Sequence, residues 1–459
     1  MTDETSYLKD NDRFAVYGLG RSGLAAAKLL HRRGKEVVVS DPGSEEELAD
    51  RLDELPANVE VILGRNDPAG ADLVVVSPGL RPGLAVFDDL RANDIPFISE
   101  IELAADVATA PILAITGTDG KTTTTELVGE MCGASRFESA VGGNIGTPLS
   151  AVVDDVGPAG VIVAEVSAFQ LWTSYRFRPE VAGYTNIAGD HLDYFDNPAG
   201  YAEAKHRLEQ NSGEGDWVAY NADDETLRGW SRECSGRTIL YGFDDALADE
   251  STDLQVWADE AEVRWRRDGG EWASLIERDA IPLPGPHNVS NVMCAAGMAL
   301  AFGVEPDAIR EAVDSFEALP HRVESCGTVD GVEFVNDSKA TNVHSALAGL
   351  GSVDGSLVVI AGGLDKGLEL DDFCRTLRQR ADTVVLIGEV ADRMERELGD
   401  DVACERAETL PEAVERAFER AQASGATVIL SPAASSFDMF ESYQHRGEVF
   451  RAAVEALRK

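Results

Sequence analysis

Two glycine-rich segments, each between a strand-like run and a helical run, constrain this chain more than any other feature. The first is Gly18-Leu-Gly-Arg-Ser-Gly23, which follows Phe14-Ala-Val-Tyr17 and precedes a helical run from Leu24. A second strand-like run, Glu36-Val-Val-Val-Ser40, ends at Asp41. This order of strand, G-x-G-x-x-G turn, helix, strand and acid is typical of a Rossmann-like sheet that holds a diphosphate at the helix N-terminus. The alternative is a tight turn without a ligand, and the pattern alone does not select NAD.

The second segment is similar to a phosphate-binding loop. The strand-like Ile112-Leu-Ala-Ile-Thr116 leads into Gly117-Thr-Asp-Gly-Lys-Thr-Thr123, which is shorter than the full G-x-x-x-x-G-K-[ST] pattern. In such a loop backbone N–H groups surround phosphates, the lysine (Lys121) reaches the terminal phosphate and the next hydroxyl (Thr122) can bind Mg²⁺. ATP is the predicted ligand, and a lysine on an exposed turn is the alternative.

Strand and helix signals continue to alternate to the end of the chain, which at 459 residues is too long for one core. Further strand-like runs lie at residues 332–335, 356–363 and 427–430. We therefore predict an α/β protein with a Rossmann-like N-terminal domain (1–99), a central P-loop ATPase-type domain with a mostly parallel sheet (100–318) and a Rossmann-like C-terminal domain (319–459). Domain closure is expected about residues 316–320.

The charge balance excludes several functional classes. Acidic residues number 82 against 40 basic ones, a formal charge of −42, whereas a nucleic-acid-binding surface needs the opposite sign. No run approaches the ~18 consecutive apolar residues of a membrane span. The first residues are acidic, unlike a signal peptide, and the six cysteines form no C-x-x-C pair. We expect a monomeric cytoplasmic protein that acts on small molecules and has neither nucleic-acid nor membrane partners.

Polar residues follow further strands of the predicted central sheet. Glu165 ends one strand, with Ser167 just beyond it, and His191 follows the next strand. Because ligands collect at the carboxyl edge of such a sheet, we expect Glu165 to bind Mg²⁺ near the phosphate loop. Taken alone, His191 would be structural and Lys205 a solvated lysine on a helix. The chain has only eight lysines against 32 arginines, however, which favours specific roles for those that remain.

Eight short motifs resemble, in order and spacing, those of the ATP-dependent Mur ligases. They are Thr116-Gly-Thr-Asp-Gly-Lys-Thr, Glu165 with Ser-Ala-Phe-Gln-Leu, Asp190-His-Leu-Asp, Ala204-Lys, His287-Asn, Leu319-Pro-His-Arg, Asn336-Asp-Ser-Lys-Ala-Thr-Asn and Ser431-Pro. The likeness covers essentially the whole chain and is greatest to the members that use D-glutamate. It implies an ADP-forming ligase that joins D-glutamate to UDP-N-acetylmuramoyl-L-alanine through an acyl phosphate, in the peptidoglycan precursor synthesis that serves cell shape and division.

The resemblance also implies a role for each matching position. The UDP-linked substrate is expected at Gly18, Leu19, Gly20, Arg21, Ser22, Asp41, Ser77, Asn144, Ser167 and His191. ATP is expected at Gly117, Thr118, Asp119, Gly120, Lys121, Thr122, Thr123, Asn291, Arg322, Asp337 and Lys339. The amino acid is expected at Thr341, Lys366, Ser436, Phe437 and Tyr443. Two Mg²⁺ sites would use Thr122, Glu165, His191 and Lys205, and the catalytic set would be Lys121, His191, Lys205 and Arg322.

One modification comes with the resemblance. In Mur ligases the lysine at the position of Lys205 is carbamylated. An ammonium beside Mg²⁺ would be repelled, whereas a carbamate is an anion that can bind the metal. The scarcity of lysine in this chain is consistent with one being retained here for that purpose.

Some positions depart from the family pattern. They are Asp119, Ala168, Tyr443 and the segment around Lys366. The last leaves the amino-acid contacts open, so the same chemistry on another nucleotide-linked carboxylate is an alternative. An NAD-dependent dehydrogenase would leave the second glycine-rich loop unexplained. A non-catalytic nucleotide sensor would not need the lysines and the glutamate of the predicted site.

The excess of acidic residues generates the first prediction. Like charges at this density repel one another and are screened only over ~10 Å at 0.1 M salt, so we expect a halophilic protein whose compact state needs salt. The midpoint of thermal unfolding should rise between low and molar KCl. An acidic protein adapted to ordinary salt, the alternative, would show no such rise.

Overall fold

The computed structural model describes residues 6–188, 195, 197–243, 252–317, 319–365, 367 and 369–458. The chain divides into two compact units, Met1–Ile281 with Ser290–Phe316 and Pro282–Val289 with Glu317–Lys459. The first unit contains two sheets and the second contains one. Across the ranges described, no helix has both the length and the apolar character needed to cross a membrane. The predicted α/β class is confirmed.

The N-terminal sheet is parallel throughout its described strands. Its elements are α1 (Tyr7–Asp10), β1 (Arg13–Tyr17), α2 (Arg21–Arg32), β2 (Glu36–Asp41), α3 (Glu45–Asp53), β3 (Glu60–Leu63), β4 (Leu73–Val76), α4 (Ala85–Ala92) and β5 (Phe97–Ser99). The strand order is β3-β2-β1-β4-β5. Strands such as β4 are buried along their whole length, as expected for a sheet covered by helices. The first glycine-rich turn follows β1, where the strand order reverses and ligands of such sheets bind.

The central sheet places the second glycine-rich loop in its middle. Its elements are α5 (Glu100–Val107), β6 (Ile112–Thr116), α6 (Lys121–Gly133), β7 (Ser139–Gly143), α7 (Leu149–Val152), β8 (Val161–Glu165), α8 (Ala168–Leu171), β9 (Val181–Tyr184), α9 (Pro198–His206), β10 (Trp217–Asn221), α10 (Glu225–Ser231), β11 (Arg237–Gly242), β12 (Leu254–Ala258), β13 (Glu262–Arg267), β14 (Ala273–Glu277), α11 (Pro286–Phe302) and α12 (Pro306–Ser315). The order is β14-β13-β12-β11-β10-β9-β6-β8-β7. Among the described strands of this sheet, only the β12–β13 and β13–β14 pairs are antiparallel. Strand β6 therefore has parallel neighbours on both sides, and the loop after it lies beside the ends of β8 and β9.

One helix begins earlier than the sequence predicts. The Gly/Pro cluster in residues 282–288 is expected to break the chain before a helix that starts at Val289, whereas α11 starts at Pro286. Proline is tolerated in a first helical turn because its missing N–H would have no intrahelical partner there. The cluster therefore contributes its last proline to the helix.

The C-terminal sheet is parallel apart from one edge hairpin, over the part of the domain that the structure describes. Its elements are β15 (Glu324–Val329), β16 (Val332–Asn336), α13 (Val343–Gly351), β17 (Leu357–Gly362), α14 (Asp371–Arg380), β18 (Ala381–Ile387), α15 (Ala391–Leu398), β19 (Ala403–Arg406), α16 (Leu410–Ser424), β20 (Thr427–Leu430) and α17 (Tyr443–Ala456). The order is β15-β16-β20-β17-β18-β19, and apolar cores cover both faces. The carboxyl ends of β16, β20 and β17 therefore share one edge.

Two glutamates at the start of α5 connect the N-terminal and central sheets of the first unit. Glu102 accepts hydrogen bonds from the Tyr7 hydroxyl (2.8 Å) and from the N–H groups of residues 175–177. Glu100 accepts from the Ser150 N–H (2.5 Å), and its Oε2 is buried without a hydrogen-bond partner among the described residues. Burial raises the pKa of Glu100 to about 7.

Glu100 generates a prediction about pH. Because its pKa in the folded state lies above its ordinary value of 4.5, the unfolded chain ionises first, and this group should lower the free energy of unfolding as pH rises from about 4.5 to 7. Glu100→Gln keeps an acceptor for the Ser150 N–H but cannot ionise. The free energy of unfolding of the variant minus that of wild type, measured with urea, should therefore be larger at pH 8 than at pH 5. We expect the increase to be up to about 2–3 kcal/mol. An equal difference at the two pH values would contradict this.

Candidate active site

The loop between β6 and α6 requires glycine at two positions. Gly117 has φ +150°, and a Cβ there would lie 1.8 Å from Thr185 Oγ1. Gly120 has φ +80°, and a Cβ there would lie 2.2 Å from Asn291 Oδ1. Any other residue would be strained and would collide with these groups. The loop is therefore closely packed between the end of β9 and α11, with the start of α6 available to a phosphate.

Two residues just after β9 hold this loop. Asn186 accepts from the Asp119 N–H (3.0 Å) and donates to the Asp119 carbonyl (3.1 Å), to which Thr185 Oγ1 also donates (2.5 Å). The Thr118 hydroxyl donates to the Ala188 carbonyl (3.1 Å) and accepts from the Ala188 N–H (2.9 Å). Sequence reasoning missed Thr185 and Asn186, although their position at the end of a neighbouring parallel strand could have identified them.

Lys121 and Lys205 meet at one carbonyl oxygen. The Gly117 oxygen accepts from Lys121 Nζ (3.0 Å) and from Lys205 Nζ (2.6 Å), and Lys121 Nζ also donates to the Thr118 oxygen (2.6 Å). Lys205 is buried, with Nζ 4.4 Å from the ring centre of Tyr201, so the interpretation as a solvated lysine is wrong. The loop thus brings together two of the eight lysines of an otherwise acidic protein.

Glu165, at the end of β8, carries a carboxyl oxygen suited to a cation. It lies opposite Ile115 of β6, which places the carboxylate beside the loop. Its Oε1 accepts from Asn144 Nδ2 (2.8 Å), whereas its Oε2 is buried with no hydrogen-bond partner in the ranges described. Glu126 lies on α6, the helix that also carries Thr122. Burial raises the pKa of Glu126, and the nearby carboxylate of Glu165 raises it further. A buried acceptor without a donor fits Mg²⁺, which prefers oxygen ligands.

The described side chains do not form a complete metal site by themselves. No three His, Cys, Asp or Glu residues in the described ranges cluster closely enough to hold a metal ion. His191, predicted for the metal, for the UDP-linked substrate and for catalysis, lies outside the described residues. A Mg²⁺ ion here would take some ligands from substrate phosphates, as Mg²⁺ commonly does.

Seven of the ten residues predicted for the UDP-linked substrate are in the N-terminal domain, at or near the first glycine-rich turn. Asp41 accepts from the N–H groups of Leu19 (2.6 Å) and Gly43 (2.7 Å), so its carboxylate shapes the turn. Gly18 has φ +88°, and a Cβ there would lie 2.8 Å from the Cβ of Ser77. The Ser77 loop is thus packed against the turn. The first residues of α2 and its N-cap are Gly20, Arg21 and Ser22.

The segment 142–148 connects this turn with the carboxyl edge of the central sheet. The Asn144 N–H donates to the Glu165 carbonyl (2.8 Å), in addition to the bond between their side chains. Arg21 Nη1 donates to the Gly146 carbonyl (3.2 Å). The hydroxyl of Ser167 donates to Gln170 Oε1 (3.0 Å) at the start of α8. The structure therefore brings predicted substrate and metal residues of the first unit together.

In the second unit, predicted ATP and amino-acid residues are neighbours. Asp337 follows β16, and its Oδ2 accepts from the hydroxyl of Ser431 (3.0 Å), which follows β20. Lys339 Nζ lies 3.9 Å from the ring centre of Tyr443, and the Lys339 N–H donates to the His321 carbonyl (3.0 Å). The segment after β16, which contains Asp337 and Lys339, and the segment after β20, which begins at Ser431, lie at the carboxyl edge of the C-terminal sheet. Ligands of parallel sheets bind at this edge.

Arg322 lies in a strained turn. His321 has φ +66° and Val323 has φ +45°, a left-handed conformation that is unfavourable for a β-branched residue. The carboxylate of Glu324 accepts from the His321 N–H (2.8 Å), which holds the turn. Burial lowers the pKa of His321. Strain of this kind is concentrated at functional sites, and here it fixes the backbone on both sides of Arg322.

The remaining residues predicted for the amino acid differ in exposure. Ser436 is buried, whereas Phe437 is 65% exposed. The Thr341 N–H donates to the Lys339 carbonyl (2.7 Å), which places Thr341 next to a residue predicted for ATP. Lys366 lies outside the described residues.

Three family profiles match the chain in the order of its sheets. The N-terminal domain of MurD-like Mur ligases matches residues 12–99, the Mur ligase middle domain matches 115–299, and the Mur ligase glutamate ligase domain matches 321–434. The chain is a Mur ligase. The resemblance drawn from the motifs is thereby confirmed, and the first glycine-rich turn belongs to a Mur ligase domain rather than to a dehydrogenase. Mur ligases are ATP-dependent ligases.

Curated relatives match this Mur ligase over nearly its full length. The UDP-N-acetylmuramoylalanine–D-glutamate ligase of Geotalea daltonii is 40% identical over 451 residues, which cover 97% of this chain and 97% of the relative. The protein of the same name from Salinibacter ruber is 41% identical over 456 residues, which cover 97% and 98%. Several further relatives at 37–40% identity carry that name.

Solved Mur ligase structures share the fold at lower identity. A pseudomurein peptide ligase type C from Methanothermus fervidus has a TM-score of 0.61 at 19% identity and covers 97% of this chain and 100% of its own. The UDP-N-acetylmuramate-alanine ligase of Thermotoga maritima has a TM-score of 0.59 at 19% identity and covers 97% and 99%. These similarities concern the fold alone.

The phosphate loop of this Mur ligase generates a prediction. Gly120→Ala would place a methyl group where Asn291 Oδ1 lies and would force alanine into a left-handed conformation. We expect the affinity for a non-hydrolysable ATP analogue to fall roughly tenfold or more in titration calorimetry. Gly133→Ala is the matched control, because Gly133 ends the same helix and a Cβ there would lie 3.8 Å from its nearest neighbour, Ser139 Oγ. Equal losses in the two variants would contradict the prediction.

Proposed function

We propose that this Mur ligase is an ADP-forming acid–amino-acid ligase that joins D-glutamate to UDP-N-acetylmuramoyl-L-alanine in peptidoglycan precursor synthesis. The observation that carries the proposal is the meeting of Lys121, Lys205 and Glu165 around one phosphate loop. Support comes from relatives about 40% identical over the whole chain, which are named for this reaction.

The three domains divide the ligands among them. Residues 1–99 bind the UDP-linked substrate, with its diphosphate at the start of α2. Residues 100–318 bind the ATP phosphates on the loop from Gly117 to Thr123, and Asn291 lies against that loop. Residues 319–459 bind the amino acid and supply Arg322, Asp337 and Lys339 to ATP. This division is supported by the carboxyl-edge position of each group of residues.

The chemistry begins by activating a poor electrophile. The carboxylate of the substrate's L-alanine attacks the γ-phosphate of ATP, which gives an acyl phosphate and ADP. Lys121, Arg322 and the N–H groups of the loop neutralise the transferring phosphoryl group. The amine of D-glutamate then attacks the carbonyl carbon, and the tetrahedral intermediate expels phosphate as the amide forms.

Two metal positions are part of the proposal. When bound, Mg²⁺ would neutralise phosphate charge, held by Glu165 and the Thr122 hydroxyl at one position and by His191 and Lys205 at the other. The unpartnered Oε2 of Glu165 supports the first position. The burial of Lys205 beside the loop supports its carbamylation, because a buried ammonium would repel a nearby cation and a carbamate would bind it.

The amino-acid pocket and the cellular setting complete the proposal. Thr341, Lys366, Ser436, Phe437 and Tyr443 bind D-glutamate, and the exposed ring of Phe437 and the contact between Tyr443 and Lys339 support this. The protein works as a cytoplasmic monomer. All six cysteines lie among the described residues and none is in a disulfide, as expected in a reducing compartment.

Phosphate release tests the proposal. With ATP and Mg²⁺ in high KCl, release should require both UDP-N-acetylmuramoyl-L-alanine and D-glutamate, and L-glutamate should replace D-glutamate poorly. A panel of other UDP-linked carboxylates and amino acids is the control. Turnover of a different carboxylate, and none of the muramoyl substrate, would overturn the proposed acceptor in favour of the same chemistry on another substrate.

The same assay separates the role of Lys205 from that of an ordinary lysine. Lys205→Ala should lower activity on the order of 10²-fold, with partial recovery on addition of short carboxylates that replace the carbamate. Lys28→Ala, which removes a partly exposed lysine paired with Glu54, should retain full activity. A fully active Lys205→Ala variant would rule out the carbamate.

A further inference from the structure

Arg446, on α17, is fully buried and is bonded to two loops at once. Its Nε donates to the Ser338 hydroxyl (3.0 Å), and its Nη2 donates to the Ser338 carbonyl (2.8 Å). Its Nη1 donates to the Ala434 carbonyl (3.1 Å). Ser338 belongs to the segment 337–339 assigned to ATP, and Ala434 belongs to the loop 431–437, which contains residues assigned to the amino acid. One guanidinium therefore joins the two segments.

Asn336 extends this connection to the turn that carries Arg322. Its side chain is fully buried, and its Oδ1 accepts from the Ser338 N–H (3.2 Å). Its Nδ2 donates to Glu324 Oε2 (3.1 Å) and to the Gly447 carbonyl (3.2 Å) and lies 3.0 Å from His321 Nδ1. The amide thus links the strained turn, the ATP segment and α17.

Helix α17 is fixed against the same segments. The Ser338 hydroxyl donates to the Tyr443 carbonyl at the first residue of the helix (2.8 Å). A Cβ on Gly447 would lie 2.1 Å from His321 Nδ1, so only glycine allows this approach. The backbone of α17 is therefore locked at both ends of the stretch that contains Arg446.

Stability alone does not account for a charged group at this place. Burial lowers the pKa of Arg446 to about 10, and the carboxylates of Asp438 and Asp337 act in the opposite direction. Apolar packing in place of a buried charge is often equally or more stable. A buried guanidinium instead fixes geometry, because its planar N–H donors determine the positions of the acceptors that they reach.

We propose that Asn336, Ser338 and Arg446 form a C-terminal clamp that sets the ATP segment and the amino-acid loop at a fixed distance from each other. They are positioning residues for the ligase reaction, and the proposal rests on the residue roles given under the proposed function. Their described bonds run to segments assigned to ATP and to the amino acid, and to none assigned to the UDP-linked substrate. Loss of the clamp should therefore affect two of the three substrates.

Arg446→Met tests the clamp by removing all three bonds at similar side-chain length. We expect the affinity for a non-hydrolysable ATP analogue, measured by titration calorimetry, and the KM for D-glutamate each to weaken about three- to tenfold. The KM for the UDP-linked substrate should not change. Ser338→Ala removes only the hydroxyl, so smaller changes in the same two constants are expected. In the double variant the losses should be smaller than the sum of the two single losses, because the hydroxyl and the guanidinium share one hydrogen bond.

A control variant and a folding test distinguish loss of the clamp from other causes of weaker binding. Arg420→Met removes an exposed arginine of the same domain that pairs with Glu405, and it should change none of the three constants. If thermal unfolding shows that Arg446→Met does not fold, Ser338→Ala decides alone. Equal weakening for all three substrates, or none, would overturn the clamp. A wild-type enzyme that binds the ATP analogue but does not use D-glutamate would overturn the proposed function, and the calorimetric comparison would still decide the clamp.

Discussion

The central site depends on the carbonyl oxygen of Gly117. This oxygen accepts from the ammonium groups of both Lys121 and Lys205, which brings together two of the eight lysines in the chain. The arrangement requires the φ of +150° that glycine tolerates, because a side chain would enter the space of Thr185. The positions of three elements therefore depend on one another: the loop, the strand end that supports it, and the helix that carries Lys205. Moving any of them would displace Lys121 or Lys205 from its place beside the loop.

A formal charge of −42 is compatible with anionic substrates only if the cations of the site are separated from the acidic surface. Lys121 is such a cation: it is partly buried and bonded to the Gly117 and Thr118 carbonyls, and a charge partly removed from water is screened less than one at the surface. Exposed pairs such as that between Arg406 and Glu395 contribute little to stability, and salt weakens them further. Salt can thus relieve the surface repulsion while it screens the partly buried charge of Lys121 less.

The sequence predicted those features whose cause is local. The strands, the two glycine-rich turns and the edge position of Glu165 follow from side-chain pattern and from the φ that glycine allows. The burial of Lys205 could not be predicted, because it depends on an acceptor 88 residues away in a chain segment that looks like a surface helix. The bond between Arg446 and Ser338 spans 108 residues and left no local pattern to detect. The start of α11 was misplaced because proline, read as a helix breaker, is also suited to a first turn.

A buried oxygen without a hydrogen-bond donor does not identify a binding site by itself. Its place in the fold must be considered as well. Glu100 and Glu165 each have one carboxyl oxygen that is buried without a hydrogen-bond donor among the described residues. Glu100 lies at the start of α5, and burial raises its pKa to about 7, so protonation can relieve the cost of its isolation. Glu165 lies at the carboxyl edge of the sheet, beside a loop whose carbonyl holds two ammonium groups. The same lack of a hydrogen-bond donor is therefore a structural feature at Glu100 and support for a proposed cation site at Glu165, and only the surrounding fold distinguishes the two.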